Sequence, residues 1–472
     1  MATKLKKTLG PIHLWGISVG LVISGDYFGW NYGWVHANFW EFFAAVSFVA
    51  IFYAVFSLSF TELAASIPHS GGPSAYAYHA FGPWGGFFAG FFTLVEFVLA
   101  PPAIASALGG YFHFLIPSIN PMIASFVFFL LLISVNLLGV KQTARFELGV
   151  TLIAVCGLLF YFILTIPFFK WDNLGLDRIV ISLPFANKAT QTELDPAINY
   201  FHWKELFSSI PYAIWFFLAV EGVAMAAEEV KNPTRNIPIG YTAGIGTLIL
   251  LAFGVLFLTA GVSSTDSVKN LSYPLSFVLG QVYGIGSWQA NLFTSIGLFG
   301  LIASLMGIIL GYSRQIYALA SEGFLPKILA KISKKNAVPA NAVLCGGAIG
   351  LVALGLGDTD QLITMAAMGA CGMYVISMAS FFVLRKIDPQ RTRPFKVPGY
   401  PLVPGIALVM GIICLLSMIT FYKELFFIMA ILLIMITLFF KIKVIKNLGR
   451  IPQGSLSPEE DESPLSRGDT DF

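Results

Sequence analysis

Three acidic side chains stand within long apolar stretches of the sequence: Asp26, Glu96 and Glu221. A carboxylate at the centre of a membrane-spanning helix costs about 2.5–3.5 kcal/mol on insertion scales, so each is a candidate for function. Arg314 is the single basic residue in a comparable position. The surplus of acids suits a cationic substrate or a bound proton. The structural alternative is that each acid is protonated or hydrogen bonds to free backbone at an interrupted helix.

Glycines and aromatic rings crowd the first of these acids, in the stretch "VISGDYFGWNYGW" at residues 22–34. Glycine adopts backbone conformations that open a helix. An ammonium group over an aromatic face gains roughly 0.5–2 kcal/mol. We therefore predict a substrate site at this interruption, with Trp30 and Phe217 as aromatic walls. The candidate substrate-binding residues are Asp26, Phe28, Gly29, Trp30, Asn31, Glu96, Phe217 and Glu221.

The composition places these residues in a membrane protein. Of the 472 residues, 57% are hydrophobic and 11% are charged, whereas a soluble domain carries about 25% charged residues. A bilayer core about 30 Å thick needs roughly 20 apolar residues per helix. The sequence predicts an all-α protein with twelve transmembrane helices, near 13–35, 41–63, 84–114, 122–140, 146–169, 205–228, 237–262, 289–320, 338–356, 361–384, 401–421 and 425–441.

The loops between these segments predict the orientation. With the N-terminus inside the cell, Lys and Arg concentrate in the cytoplasmic loops, as in other multi-pass proteins. We expect a protein of the cytoplasmic membrane with both termini in the cytoplasm. The expected organisation is a cytoplasmic N-terminus at 1–12, one membrane domain at 13–450, and an acidic, disordered cytoplasmic tail at 451–472. The net charge of +3 follows from this topology and does not indicate nucleic-acid binding.

Other kinds of chemistry find little support in the sequence. The four cysteines lie inside apolar runs, and no two histidines pair at zinc-ligand spacing within a span. We expect neither a metal site nor another cofactor. An intramembrane enzyme would need a Ser/Lys, Ser/His or paired-His constellation, and a channel would need a continuous polar lining. The sequence contains neither such a constellation nor such a lining, so we expect a transporter without catalytic residues.

The first and sixth predicted spans are unlike the others, because each carries an acid beside a glycine in mid-membrane. They are five spans apart and therefore cross the membrane in opposite directions. Matched interruptions in two halves of opposite topology are typical of inverted-repeat transporters. Interrupted backbone is tolerated at membrane depth where it is buried in protein or lines a cavity. The alternative is that these glycines serve close packing between helices.

Three longer motifs resemble the amino acid–polyamine–organocation transporter superfamily. They are "FTELAASIPHSGGPSAYAY" at 60–78, "AEEVKNPTRNIPIGY" at 227–241 and "YSRQIYALASEGFLPKILAKI" at 312–332. They occur in the family's order and are distributed along the chain from residue 60 to residue 332. Within the superfamily, "SGDYFGWNYGW" at 24–34 looks like the ethanolamine permease branch.

This resemblance implies a fold and a function. The fold is that of the leucine transporter: two inverted repeats of five helices, with helices 1 and 6 broken, followed by two C-terminal helices. Substrate would sit between helices 1, 3, 6, 8 and 10. The implied function is secondary active import of a small cationic amine, above all ethanolamine, by alternating access. The alternative is an amino-acid permease of the same superfamily, acting as a proton symporter or an exchanger.

Two positions depart from the family pattern. Trp30 stands where amino-acid carriers of the family have a small residue whose surroundings bind the substrate carboxylate. Ala154 stands where several proton-driven relatives carry a lysine. The first departure argues against carboxylate binding. The second leaves the coupling ion open between H⁺ and Na⁺.

Overall fold

The computed structural model describes residues 9–69, 71–139, 144–175, 179–181, 199–333, 336 and 338–441. The expected acidic tail at 451–472 and most of the expected N-terminal segment lie outside these residues. The described chain is almost entirely helical. In chain order the α-helices are α1 Pro11–Val22, α2 Ser24–Tyr27, α3 Gly33–His36, α4 Phe39–Ser66, α5 Pro73–Leu115, α6 Pro121–Leu137, α7 Ala144–Thr165, α8 Trp203–Ser208, α9 Ile210–Trp215, α10 Pro233–Val262, α11 Thr265–Val268, α12 Pro274–Tyr283, α13 Trp288–Ser321, α14 Ala340–Leu356, α15 Thr359–Ile387, α16 Leu402–Phe421 and α17 Lys423–Phe439.

Seven helices of the described chain are long and apolar enough to cross a membrane: α4, α5, α7, α10, α13, α15 and α16. They coincide with predicted spans, which supports a multi-pass membrane protein. Several other predicted spans correspond to shorter apolar helices, among them α1, α6 and α14. The first and sixth predicted spans are each divided into several short helices, so neither forms one long helix.

Helix α5 forms the centre of the bundle, since it packs along both α13 and α15. Its residues 73–115 include a kink at Gly82, whose φ is +71°. The predicted span at 84–114 begins just after this kink. Pro83 follows immediately, and proline cannot donate the backbone hydrogen bond that would continue the preceding turn. The kink therefore separates the loop-proximal turns from the long segment that carries Glu96.

Some elements were not predicted. The connection between the seventh and eighth predicted spans contains α11 and the ten-residue α12. The connection between the fifth and sixth predicted spans contains two strands of three residues each, β1 Ile179–Ile181 and β2 Asn199–Phe201. They pair in parallel, with Ile179 opposite Asn199. Short strands in a polar connection lack the alternation of apolar residues that would have indicated them.

The residue before the start of α1 and the residues at the end of the sixth span meet on one face of the bundle. The Leu9 amide donates to the Glu229 carbonyl at 3.0 Å, and the Lys231 amide donates to the Leu9 carbonyl at 2.9 Å. We refer to this side as the N-terminal face. The two hydrogen bonds join the chain entering the first span to the chain leaving the sixth.

An ionic clamp around Glu62 joins α4 to α15 and to the loop that follows it. The carboxylate of Glu62 accepts two hydrogen bonds from Arg385, at 2.8 and 2.6 Å. Arg393 approaches it to 3.4 Å, and the Val397 amide donates to it at 2.7 Å. The Glu62 side chain is 3% exposed, so its charge depends on these partners.

We predict that Glu62→Gln destabilises the protein. Removing one partner of a buried ion pair costs roughly 3–5 kcal/mol, and the value here lies near the lower end because Arg385 is partly exposed. Thermal unfolding in detergent checks this, with the exposed Glu424→Gln as the control. Equal melting temperatures for the two variants would mean that the clamp contributes no net stability.

Candidate functional site

The first span breaks between α2 and α3. Phe28 is fully extended, with φ −164° and ψ 171°, and Gly29 has φ +93°. A positive φ of this size favours glycine over all other residues. The Gly29 amide, which the break leaves without a helical acceptor, donates to Oδ1 of Asn31 at 3.0 Å. The break therefore lies at the glycine that the sequence singled out.

Trp215, at the end of α9, fastens the sixth span to this break. Its Nε1 donates to the carbonyl of Phe28 at 2.9 Å, and the two rings meet edge to face at 5.7 Å. A Cβ atom on Gly29 would lie 2.2 Å from Nε1 of Trp215. Both the backbone conformation and the space therefore require glycine at this position.

The sixth span breaks directly after Trp215. The chain leaves the helix at Phe216 and resumes as a 3₁₀ helix at Val220–Glu229. Ala219 has φ +72°, a left-handed conformation that costs about 1–2 kcal/mol for a residue with a side chain. Its amide donates to Oε1 of Glu96 at 3.1 Å. Glu96 therefore holds open a backbone turn that the sequence alone does not favour.

Glu221 completes a buried polar cluster beside Glu96. Its Oε2 accepts a hydrogen bond from the Tyr374 hydroxyl at 3.0 Å, and that hydroxyl is 2.9 Å from the hydroxyl of Tyr53. The second oxygen of each acid, Oε2 of Glu96 and Oε1 of Glu221, is buried without a hydrogen-bond partner among the described residues. A buried carboxylate that lacks partners is unfavourable, so a proton on either acid would lower the cost of burial. The two acids are therefore candidate protonation sites between the third and sixth spans.

Asp26 has a different environment. It is fully buried in α2, and neither oxygen of its carboxyl group has a hydrogen-bond partner among the described residues. Buried polar groups are normally hydrogen bonded, and an isolated buried carboxylate is strongly unfavourable. Glu96 and Glu221 each have a donor from the protein. Of these three acids, Asp26 is the one whose carboxyl group has no hydrogen-bond partner in the part of the chain that the structure describes.

The aromatic candidates form a tight layer around the first break. Trp30 is buried, stacks on Phe216 at 5.6 Å and donates through Nε1 to the backbone carbonyl of Asp26 at 3.2 Å. Phe217 lies against Tyr53 at 5.2 Å. Trp30 is therefore fixed beside the backbone of Asp26, whereas Phe217 belongs to the group around Tyr53 and Tyr374.

Asn31 is committed to structural hydrogen bonds. Its Nδ2 donates to the carbonyls of Val268 and Leu271, at 2.7 and 2.9 Å, while its Oδ1 accepts from Gly29. These contacts use the amide's donors and one of its acceptor positions. Asn31 thus connects the break to the segment at α11 and before α12. Few of its hydrogen-bonding positions remain for a substrate.

A layer of rings covers the side of the bundle opposite the N-terminal face. His36 stacks on Tyr212 at 5.3 Å, and its Nε2 is 3.1 Å from the Tyr212 hydroxyl. Burial lowers the pKa of His36, and the nearby charge of Asp360 opposes this shift. The layer forms part of the wall of a cavity of about 870 Å³, which Glu205 and Asp360 also line.

The structure thus sorts the predicted residues into two groups. Asp26, Phe28, Gly29 and Trp30 lie at the first break, and Glu96, Glu221 and Phe217 lie with the two tyrosines near the second. Sequence reasoning missed Trp215, Tyr374 and Tyr53 as members of the site. The position of Trp215 directly before the second break could have indicated its role. Tyr53 and Tyr374 lie in apolar helices, and nothing in the sequence around them distinguishes them from other tyrosines. Among the described residues, no cluster of three or more His, Cys, Asp or Glu could hold a metal ion.

Comparison with known proteins extends over nearly the whole chain. The family model described as amino acid permease matches residues 9–451. An uncharacterized transporter of Rhizobium meliloti is 26% identical over 82% of this chain and 80% of its own length. The branched-chain amino acid permease of Bacillus subtilis is 24% identical over 84% and 85%, and that organism's methylthioribose transporter is 24% identical over 74% and 75%. All three relatives are named as transporters.

We predict that Gly29→Ala lowers transport at least tenfold without preventing membrane insertion. The added Cβ collides with Trp215 and strains a backbone with positive φ. The conformation of the break and the hydrogen bond from Trp215 to the Phe28 carbonyl are therefore disturbed. Gly246→Ala is the control, because a Cβ there meets no atom within 4 Å. Transport is measured per molecule of protein in the membrane. Equal rates in both variants would show that the geometry at Gly29 does not matter for transport.

Proposed function

The chain belongs to the amino acid permease family. From that premise we propose that it is a secondary active transporter that imports a small organic amine, and that this amine is ethanolamine. The observation that carries this proposal is Asp26. It is a buried carboxyl group at a broken helix, without a partner from the described protein. A substrate ammonium supplies the missing charge and the missing hydrogen-bond donors.

The proposal includes the layout of the bundle. We propose twelve spans, in which the first ten form two inverted repeats and the divided first and sixth spans correspond to each other. Their breaks support this layout, since each has a residue with positive φ, Gly29 in one and Ala219 in the other. The Lys and Arg of the loops support cytoplasmic termini in the cell membrane. In this orientation the N-terminal face lies toward the cytoplasm.

Electrostatics at the first break favours a cation. Asp26 lies in the last turn of α2, at the end of the helix where the aligned peptide dipoles give partial negative charge. A carboxylate and an ammonium 4 Å apart attract by about 4 kcal/mol at an effective dielectric constant of 20, before desolvation is subtracted. Without a substrate, a proton on Asp26 avoids the cost of an isolated charge. With the amine bound, the carboxylate is ionised and paired.

The surroundings of Asp26 suit a molecule without a carboxylate. A negative substrate group would be repelled by Asp26, and the bulky ring of Trp30 occupies the place of a small family residue. Ethanolamine has an ammonium group, a hydroxyl group and two methylenes. Trp30 contributes an aromatic surface beside the Asp26 backbone, where a cation gains further stabilisation.

A proton is the coupling ion that the second break supports. Glu96 and Glu221 are both buried, and each has one carboxyl oxygen without a hydrogen-bond partner among the described residues, so a proton on either acid would remove an unfavourable buried charge. Because Glu96 also holds the Ala219 amide, loss of that proton would alter the second break directly. Coupling through this pair would not need the lysine that Ala154 replaces.

The second candidate is an amino-acid permease of the same fold. The named branched-chain amino acid permease among the relatives favours it. Competition separates the two functions: unlabelled ethanolamine and unlabelled valine are tested against uptake of labelled ethanolamine and labelled valine. We expect ethanolamine uptake to be inhibited by ethanolamine and not by valine. Valine uptake that ethanolamine fails to inhibit would favour the amino-acid permease.

We predict that Asp26→Asn weakens ethanolamine binding at least a hundredfold. This factor corresponds to about 2.7 kcal/mol, just below the roughly 3–5 kcal/mol lost when a buried ion pair loses one partner. Glu221→Gln should weaken binding less, because the Tyr374 hydroxyl already donates to that side chain. Calorimetry in detergent measures both affinities. Unchanged affinity in Asp26→Asn, with only gradient-driven uptake lost, would make Asp26 a proton carrier and not the amine site.

A further inference from the structure

A second charged cavity lies at the N-terminal face, away from both breaks. Its volume is about 110 Å³, which is room for roughly four water-sized groups at about 30 Å³ each. Five spans contribute to its wall, among them α7, α13 and the 3₁₀ helix of the sixth span. We call it the N-terminal cavity, and it is lined by Leu9, Ile17, Leu21, Phe97, Glu147, Gly222, Met225, Glu229, Gly307, Leu310, Gly311 and Arg314.

Three charged side chains face this cavity: Glu147, Glu229 and Arg314. Arg314 is the basic residue that the sequence places within a span, and none of the ion pairs within the described chain includes it. Glu147 and Arg314 are close enough to interact electrostatically, yet they form no ion pair. The cavity therefore has two carboxyl groups and one guanidinium, and none of the three is in an ion pair among the described residues.

The cavity also adjoins the central acids. Phe97 follows Glu96 along α5, and Gly222 follows Glu221 in the sixth span, so the wall of the cavity lies one residue from the carboxyl pair. Phe97 and Leu21 fill the space left by three glycines. A Cβ on Gly311 would lie 2.8 Å from the ring of Phe97, and a Cβ on Gly222 or Gly307 would lie 2.7 or 2.9 Å from Leu21.

Phe97 and Leu21 line the N-terminal cavity, whereas Glu96 and Glu221 do not. Neither Phe97 nor Leu21 donates or accepts a hydrogen bond through its side chain, so a change of rotamer breaks no polar contact. A solute leaving the breaks toward the N-terminal face would pass these two side chains. It would then meet Glu147, Glu229 and Arg314.

We propose that the N-terminal cavity is a second binding site for the ammonium group of the transported solute. Glu147 and Glu229 receive the ammonium on the cytoplasmic side, and Arg314 competes with it for the two carboxylates, which promotes release. An ammonium group in the cavity pairs with a carboxyl group that has no ion-pair partner among the described residues, and the cavity has room for a molecule of the size of ethanolamine. The proposal rests on the proposed transport of an amine and adds a site for its exit.

The test compares apparent affinities on the two sides of the membrane. Influx of labelled ethanolamine is measured in right-side-out vesicles, and transport from the cytoplasmic side is measured in inside-out vesicles. We expect Glu147→Gln to raise the KM on the cytoplasmic side about tenfold and to leave the external KM within twofold. Arg314→Gln should lower the cytoplasmic KM and slow turnover, because the competing cation is gone. Glu322→Gln, at the end of α13 and outside the cavity lining, is the control.

The outcomes separate the two proposals. If native vesicles transport valine and not ethanolamine, the proposed substrate is wrong, and the same KM values are measured with valine, which also carries an ammonium group. If Glu147→Gln does not reach the membrane, Glu229→Gln replaces it with the same expectation. A change of equal size on both sides, or no change in either KM, would overturn the second site.

Discussion

The structure depends on one constraint: the backbone groups freed at two helix breaks must find partners inside the bundle. Hydrocarbon offers no hydrogen bonds, so a free amide or carbonyl at membrane depth costs several kcal/mol. The two breaks meet this requirement through other spans. Trp215 of the sixth span donates to the Phe28 carbonyl of the first, and Glu96 of the third accepts from the Ala219 amide of the sixth. The first, third and sixth spans are therefore held together at the places where their helices open.

This constraint separates the roles of the buried acids. Glu96 serves the backbone of the second break, and Glu221 is held by Tyr374. Each of these two acids has one hydrogen-bond donor from the protein. Asp26 has none among the described residues, so its stabilisation comes from a proton or from a cationic solute. A site that is incomplete without a cation fits a transporter, because the bound and empty states then differ in electrostatic energy at the point where the helix is open.

The sequence was sufficient to locate the first break and insufficient to describe the second. Gly29 has the residue type that its positive φ requires, so glycine spacing indicated it. Ala219 adopts a left-handed conformation that alanine disfavours, and a contact with Glu96, more than a hundred residues away, stabilises it. Asn31 stays a predicted substrate ligand, and the sequence did not indicate its structural hydrogen bonds. Its partners, Val268 and Leu271, lie in a connection whose structure has no clear periodic signal.

The central claim is that the carboxylate of Asp26 recognises the positive charge of the substrate. The most direct test is a double cycle that changes both the ligand and the protein. The affinities of ethanolamine and of its neutral analogue ethylene glycol are measured by competition calorimetry for the native protein and for Asp26→Asn. The account predicts that the native protein prefers ethanolamine by at least a hundredfold and that Asp26→Asn loses most of this preference, a coupling of about 2.7 kcal/mol. The same preference in both proteins would contradict the account, because the charge would then be recognised elsewhere.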